Sequence, residues 1–146
     1  MEETEIKLLN RLYQDADTGM IGVDKVLKKV KDGALKNLLV KQYDMYDKFK
    51  DKCDTLAINN DFDVKENNAF KKFKQTAMIY MSLWMDKSAR HIVEMMITGT
   101  VMGIVDTIKN RADTQTKNEQ LAELIAEFQK IQEDFYEKLK KLLSKV

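Results

Sequence analysis

At 146 residues, with 25 Lys and Arg against 24 Asp and Glu, the chain is long enough to bury one core without staples, and its net charge of +1 supplies no field to attract nucleic acid or an anionic membrane. It has no proline and five glycines, a scarcity that favours long helices with few breaks. The single cysteine, Cys53, excludes an intrachain disulfide and fits a reducing compartment. The acidic opening Met1-Glu2-Glu3-Thr4-Glu5 lacks the basic segment of a signal peptide, so the expected location is cytoplasmic.

Over residues 6–30, Leu9, Leu12, Ala16, Gly19, Val23, Val26 and Val30 recur at three- and four-residue steps and share one helical face. Gly33 stands where a C-terminal cap is expected. A second helix follows on Leu35, Leu38, Gln42, Met45, Phe49, Cys53 and Leu56, with Cys53 as a small core residue, so a short connection makes a helical hairpin over about residues 5–57. Asn59-Asn60-Asp61-Phe62-Asp63 is the clearest loop, inside a linker over residues 58–66 that divides the chain into halves. All of residues 1–146 then form one domain, with a second hairpin over 67–146.

Helical pattern resumes near residue 67 and runs to about 111, roughly 65 Å at 1.5 Å per residue, which is twice the length of the other helices. Either a break or kink at Asp86-Lys87-Ser88 or an overhanging helix is expected. The last helix, over about 116–143, carries Leu121, Leu124, Ile125, Phe128, Ile131, Phe135, Leu139 and Leu142. A shift of 86 residues matches Leu35 to Leu121, Leu38 to Leu124, Leu39 to Ile125, Met45 to Ile131 and Phe49 to Phe135. The first helices of the two halves share a shorter motif, Thr18-Gly19-Met20-Ile21-Gly22 and Thr98-Gly99-Thr100-Val101-Met102-Gly103. Each helical glycine costs about 1 kcal/mol relative to Ala, so Gly19, Gly22, Gly99 and Gly103 are expected where the first helix of each hairpin closely crosses its counterpart in the other hairpin.

The stretch 92–108 is apolar nearly all round. Ile92, Met95, Gly99, Met102 and Val105 fall on one face, expected to line the core, and Val93, Ile97, Val101, Ile104 and Ile108 fall on another. The second stripe is expected to meet another copy of the chain, making a homodimer. The longest uncharged run, residues 95–105, is too short for a membrane span, so no membrane partner is expected.

Two hairpins separated by a linker with an extra helical segment or long helix in the second half resemble the ferritin-like antiparallel four-helix bundles, and most nearly the small uncharacterised bacterial ferritin-like domains. Those domains place a Gly followed by an acidic residue in the first helix of each hairpin, and Thr18-Gly19 and Thr98-Gly99 sit where that motif would fall. The resemblance covers nearly the whole chain and implies an all-α fold with a di-iron centre. Such a centre needs about four carboxylates and two His, with Glu-x-x-His on two helices. This chain has one His and no Glu-x-x-His, and the acidic position after the shared Gly is held by Met20 and Thr100. The expectation is therefore a metal-free, cofactor-free, non-catalytic bundle acting by assembly or binding, in a structural or stress-associated role.

Two alternatives stand beside that reading. A divergent iron-handling or redox site would draw on Asp44, Asp47, His91, Glu94, Glu127 and Glu133, with His91 and Glu94 three apart on one helical face. A module for a small apolar ligand or partner helix would use Tyr80, Trp84 and Met102 within the methionine-rich second half. Phosphate-loop, Cys-x-x-Cys, Gly-x-Ser-x-Gly and His-Glu-x-x-His motifs are missing.

Overall fold

The computed structural model describes residues 1–31, 33–66, 74, 78, 79, 81, 86 and 88–146. Among them the chain is all-helical, without strands: α1 spans Glu3–Leu27, α2 Gly33–Asn59, α3 Ala89–Thr114 and α4 Glu119–Leu143. Consecutive helices pack in pairs, α1 on α2 and α3 on α4, and the pairs join through α1 with α3 and α2 with α4.

Each boundary follows from local chemistry. α3 starts on Ser88, whose Oγ accepts the His91 amide at 3.2 Å, and α4 starts on Asn118, whose Oδ1 accepts the Leu121 amide at 3.0 Å. α2 ends in a Schellman motif: Asp61 takes the left-handed conformation (φ 64°), while the amides of Asp61 and Phe62 donate to the carbonyls of Ile58 and Ala57. Gly33 does not cap α1. It opens α2 with negative φ, and α1 has already closed at Leu27, where the Lys28 amide donates to the Val26 carbonyl. The interruption expected at 86–88 is present, since Asp86 and Ser88 lie outside helix and the Ser88 amide donates to Asp86 Oδ1 at 2.8 Å. The expected continuation over 67–85 falls mostly outside the described residues.

The core is built from Leu9, Leu12, Ala16 and Val23 of α1, Leu35, Leu39, Phe49 and Cys53 of α2, and Leu121, Ile125, Phe128, Phe135 and Leu139 of α4, with Ile92 and Val93 of α3. Phe49 stacks on Phe128 with ring centroids 4.7 Å apart, and Tyr46 leans on the same ring at 6.2 Å. Burial keeps the Cys53 thiol protonated by pushing its pKa up. Met45, expected inward, is exposed, and the neighbouring Tyr46 takes the interior position.

Burial reveals the internal repeat more sharply than letters do. Leu35, Leu39, Gln42, Tyr46, Phe49 and Cys53 of α2 are all buried, and so are their counterparts 86 residues on, Leu121, Ile125, Phe128, Gln132, Phe135 and Leu139. In the first helices, buried Leu8, Leu9, Ala16 and Val23 correspond to buried Ile92, Val93, Thr100 and Thr107. That register pairs Gly19 with Gly103. It corrects the Thr-Gly alignment, which had paired Gly19 with Gly99.

One carboxylate fastens the two halves at the start of the chain. Glu5 Oε1 accepts the Glu2 amide at 3.1 Å, and Oε2 accepts the Thr116 hydroxyl and, at 3.0 Å, the Asn118 amide at the head of α4. The Thr116 hydroxyl above all, with these amides, holds the Glu5 carboxyl below its ordinary range. A lowered folded pKa gives stability that is present above the unfolded carboxylate value and lost as pH falls through the folded one. Glu5→Gln is therefore expected to cost about 1–2 kcal/mol at neutral pH. Urea unfolding of both proteins at pH 7 and pH 3 checks this: the gap between wild type and variant should narrow in acid, and a pH-independent gap would refute the role of the charge.

Candidate functional site

α3 is turned against its own composition. Most helices of a soluble bundle put apolar residues inside and polar ones outside. α3 buries Ile92 and Val93 in its first turn, but further along the residues it buries are Thr100 and Thr107. Each threonine hides its hydroxyl on the carbonyl one turn back: Thr100 Oγ1 lies 2.7 Å from the Met96 oxygen and Thr107 Oγ1 3.0 Å from that of Gly103. Thr107 also meets Gln132 Oε1 of α4 at 2.9 Å. With these small polar residues satisfied inside, the larger apolar side chains face out. Val101 is 39 % exposed, Met102 68 %, Val105 49 % and Ile108 46 %.

The helix is held in this rotation by polar contacts on its flank. Arg11 of α1 grips Asp106 with two bonds, Nε to Oδ2 at 2.9 Å and the terminal nitrogen to Oδ1 at 3.0 Å, and the Asn110 amide donates to Asp106 Oδ2 at 3.1 Å. Hydrogen bonding to Asp106 raises the Arg11 pKa further, so the pair is fixed across the working pH range. By length and composition α3 is also apolar enough to cross a membrane, which the count of its longest uncharged run did not anticipate. Its Asp106 nonetheless sits in an ion pair with α1.

The expected interface stripe divides. Val93 lies wholly in the core and is not available to a partner, and Ile97 packs against the core at half burial. Ile104 is half-buried, and only Val101 and Ile108 stand open. Met102 and Val105, expected on the core side, are exposed instead. The exposed face is thus rotated from the expected one, because the two buried threonines, not the bulky aliphatics, define the inward direction.

The four glycines also separate. A Cβ on Gly19 would lie 2.6 Å from the Tyr46 ring, so the glycine makes a notch for an aromatic side chain of α2 in its own half, not a crossing with the first helix of the other half as expected. Gly103 plays the matching part in the second half, where a Cβ would lie 2.9 Å from the Gln132 amide. A Cβ on Gly22 would lie 4.0 Å from Ile79 Cδ1, an ordinary contact distance. Gly99 faces open space and is not at a close crossing. Burial pushes the Tyr46 phenol up to about 12, against a smaller opposing effect of Gln42, so the ring in the first notch stays neutral.

The residues proposed for a divergent metal site are dispersed. Asp44 pairs with Lys48 at 2.9 Å, Glu94 with Arg90 at 3.3 Å and Glu133 with the Gln129 amide at 2.9 Å, while Glu127 bridges to Lys52 of α2. Asp47 is exposed on α2 and His91 is half-buried at the start of α3. Among the described residues no three His, Cys, Asp or Glu come together as a metal set. Tyr80 and Trp84 lie outside the described residues. Sequence reasoning missed a further polar contact, the Asp17–Lys50 pair at 2.8 Å between α1 and α2, with Lys50 also over the Tyr13 ring. No protein-family model, no curated protein and no solved structure matches the chain.

Proposed function

We propose that the chain is a non-catalytic helical bundle on a ferritin-like frame that acts by assembly, as a homodimer joined through the outer face of α3. The observation that carries the proposal is the inverted helix: two threonines inside, and Val101, Met102, Val105 and Ile108 outside. An apolar stripe of this size on a soluble chain is the usual mark of an interaction surface, and a two-fold pairing is the commonest way to cover it.

The frame is supported by which residues meet. On α1 and α2, Tyr13 and Asp17 meet Lys50 while Gly19 meets Tyr46. From α1, Arg11 reaches Asp106 of α3 and Glu5 reaches Thr116, just beyond the end of α3. Between α2 and α4, Phe49 meets Phe128 and Lys52 meets Glu127. Rising numbers on one helix meet falling numbers on its neighbour, the pattern of antiparallel neighbours that ferritin-like bundles have.

Val105→Glu with Ile108→Glu tests the assembly. Wild type is expected to sediment as a dimer at tens of micromolar. The double variant, with two charges buried per copy, should raise the dissociation constant at least about a hundredfold and remain helical by circular dichroism. A wild-type monomer at that concentration sinks the proposal.

A further inference from the structure

We infer that the protein docks on anionic lipid bilayers through one end of the bundle, where the end of α1, the starts of α2 and α3 and the end of α4 gather their bases, so that the helices stand along the membrane normal. The inference rests on the antiparallel order of neighbouring helices proposed above and is independent of the dimer.

Contacts between the helices set their common levels. Gly19 beside Tyr46, Phe49 against Phe128 and Arg11 on Asp106 bring residue 28 level with about 37, 89 and 141. At that end, residues 24–41, 88–94 and 137–146 hold eleven Lys and Arg against four Asp and Glu, while at the other, residues 1–14, 51–66 and 103–127 hold seven against thirteen. The net charge of +1 thus hides two poles of opposite sign.

Helix dipoles do not account for the basic pole. Lys25 of α1 and Lys140 and Lys141 of α4 lie in last turns, where the dipole favours bases. α2 and α3 start at the same end, where the dipole favours acids, yet neither has an acid in its first turn and each has a base there, Lys36 and Arg90. All four termini are basic whatever the sign of the dipole, so the charge belongs to the end as a whole. Asp24, Glu94 and Glu137 are engaged in ion pairs with Lys28, Arg90 and Lys140. Lys29, Lys31, Lys36, Lys141 and Lys145 are exposed and make no ion pair with a described residue.

Unpaired lysines on a blunt end fit a leaflet of anionic headgroups better than they fit other polyanions. Lysine is depleted where proteins bind proteins, which disfavours the acidic end of a second copy. A duplex is held by guanidinium forks and by an element that enters a groove, whereas this end offers helix termini and one arginine already paired with Glu94. An anionic leaflet needs only point charges near its plane, and each lysine adds its own attraction. The same field repels the acidic pole, so the two poles together orient the long axis of the bundle.

Co-sedimentation of the full chain with vesicles at about 0.1 M salt tests the docking, with phosphatidylcholine alone and with phosphatidylglycerol added. Binding is expected only to the anionic vesicles, and it should vanish at about 0.5 M salt. The combined variant Lys29→Gln, Lys31→Gln, Lys141→Gln and Lys145→Gln should bind at least about a hundredfold more weakly. An equal change of net charge at the acidic end, Lys7→Gln, Lys65→Gln, Lys109→Gln and Lys117→Gln, should leave binding within about threefold of wild type. Sedimentation without lipid reads the dimer separately, so a monomer that still binds in this pattern sinks the assembly reading alone. A fluorophore on Asn37→Cys should transfer energy to labelled headgroups more efficiently than one on Ala112→Cys at the other end, with the native Cys53 shielded by burial. Equal or reversed transfer overturns the upright orientation. Equal losses in the two lysine variants, or equal binding to neutral vesicles, overturns the inference. So does absence of vesicle binding, whether the lysines then prove to serve a DNA duplex, self-association or neither.

Discussion

Phe128→Ala is expected to remove about 3–5 kcal/mol of folding stability, the largest loss from any single truncation named here. Phe128 is fully buried on α4, stacked at 4.7 Å on Phe49 and touched by Tyr46, so it is the point where α2 and α4 interlock across the two halves. Removing the ring loses its transfer free energy and leaves a cavity that two stiff aromatic neighbours cannot close. Against a total stability of about 5–15 kcal/mol for a domain of this size, the variant should stand close to its unfolding transition at 37 °C. Urea unfolding at 25 °C measures the loss. Phe128→Leu, which keeps more of the volume, should recover at least half of it, and a cost below about 1 kcal/mol for the alanine would mean that the two halves do not interlock there.

Gly19 and Gly99 are expected to respond with opposite signs. At Gly19 a Cβ would stand 2.6 Å from a buried Tyr46 ring that is itself held against Phe128, and the ring has little room to retreat. Gly19→Leu should therefore cost about 1–3 kcal/mol by overpacking, in spite of its better helix propensity. Pairing it with Tyr46→Ala should restore part of the loss relative to Tyr46→Ala alone, because the notch and the ring are complementary. At Gly99 nothing lies within 4 Å, so Gly99→Ala should raise stability by up to about 1 kcal/mol. Differential scanning calorimetry of the two variants reads the contrast directly. If both lower the melting temperature, the assignment of the notch to Gly19 alone in this pair is wrong.

The four long helices, the loop at 59–63 and the interruption at 86–88 were legible because each rests on local chemistry: apolar spacing, a left-handed Asp61, and an Asx-to-serine start for α3. The 86-residue match of α2 with α4 was legible too, since both carry an apolar stripe, although its Met45–Ile131 pair fails because Met45 is exposed and Tyr46 is buried in its place. Gly33 was misjudged because a glycine between two helical patterns serves equally as an end or a beginning, and only the backbone angle tells which.

The candidate site was legible as a region and not as a face. The sequence by itself determined that residues 92–108 are apolar nearly all round, without a continuous polar face. For the same reason it could not determine which side turns inward: where nearly every position is apolar, periodicity carries no phase. Tertiary structure decided that phase through contacts far apart in the chain, the Arg11 grip on Asp106, the fit of Gln132 over Gly103 and its contact with Thr107. Threonine inside is tolerable only because its hydroxyl finds the carbonyl one turn back, a compensation available once the helix exists. That rotation sends Val93 into the core and puts Met102 and Val105 on the surface.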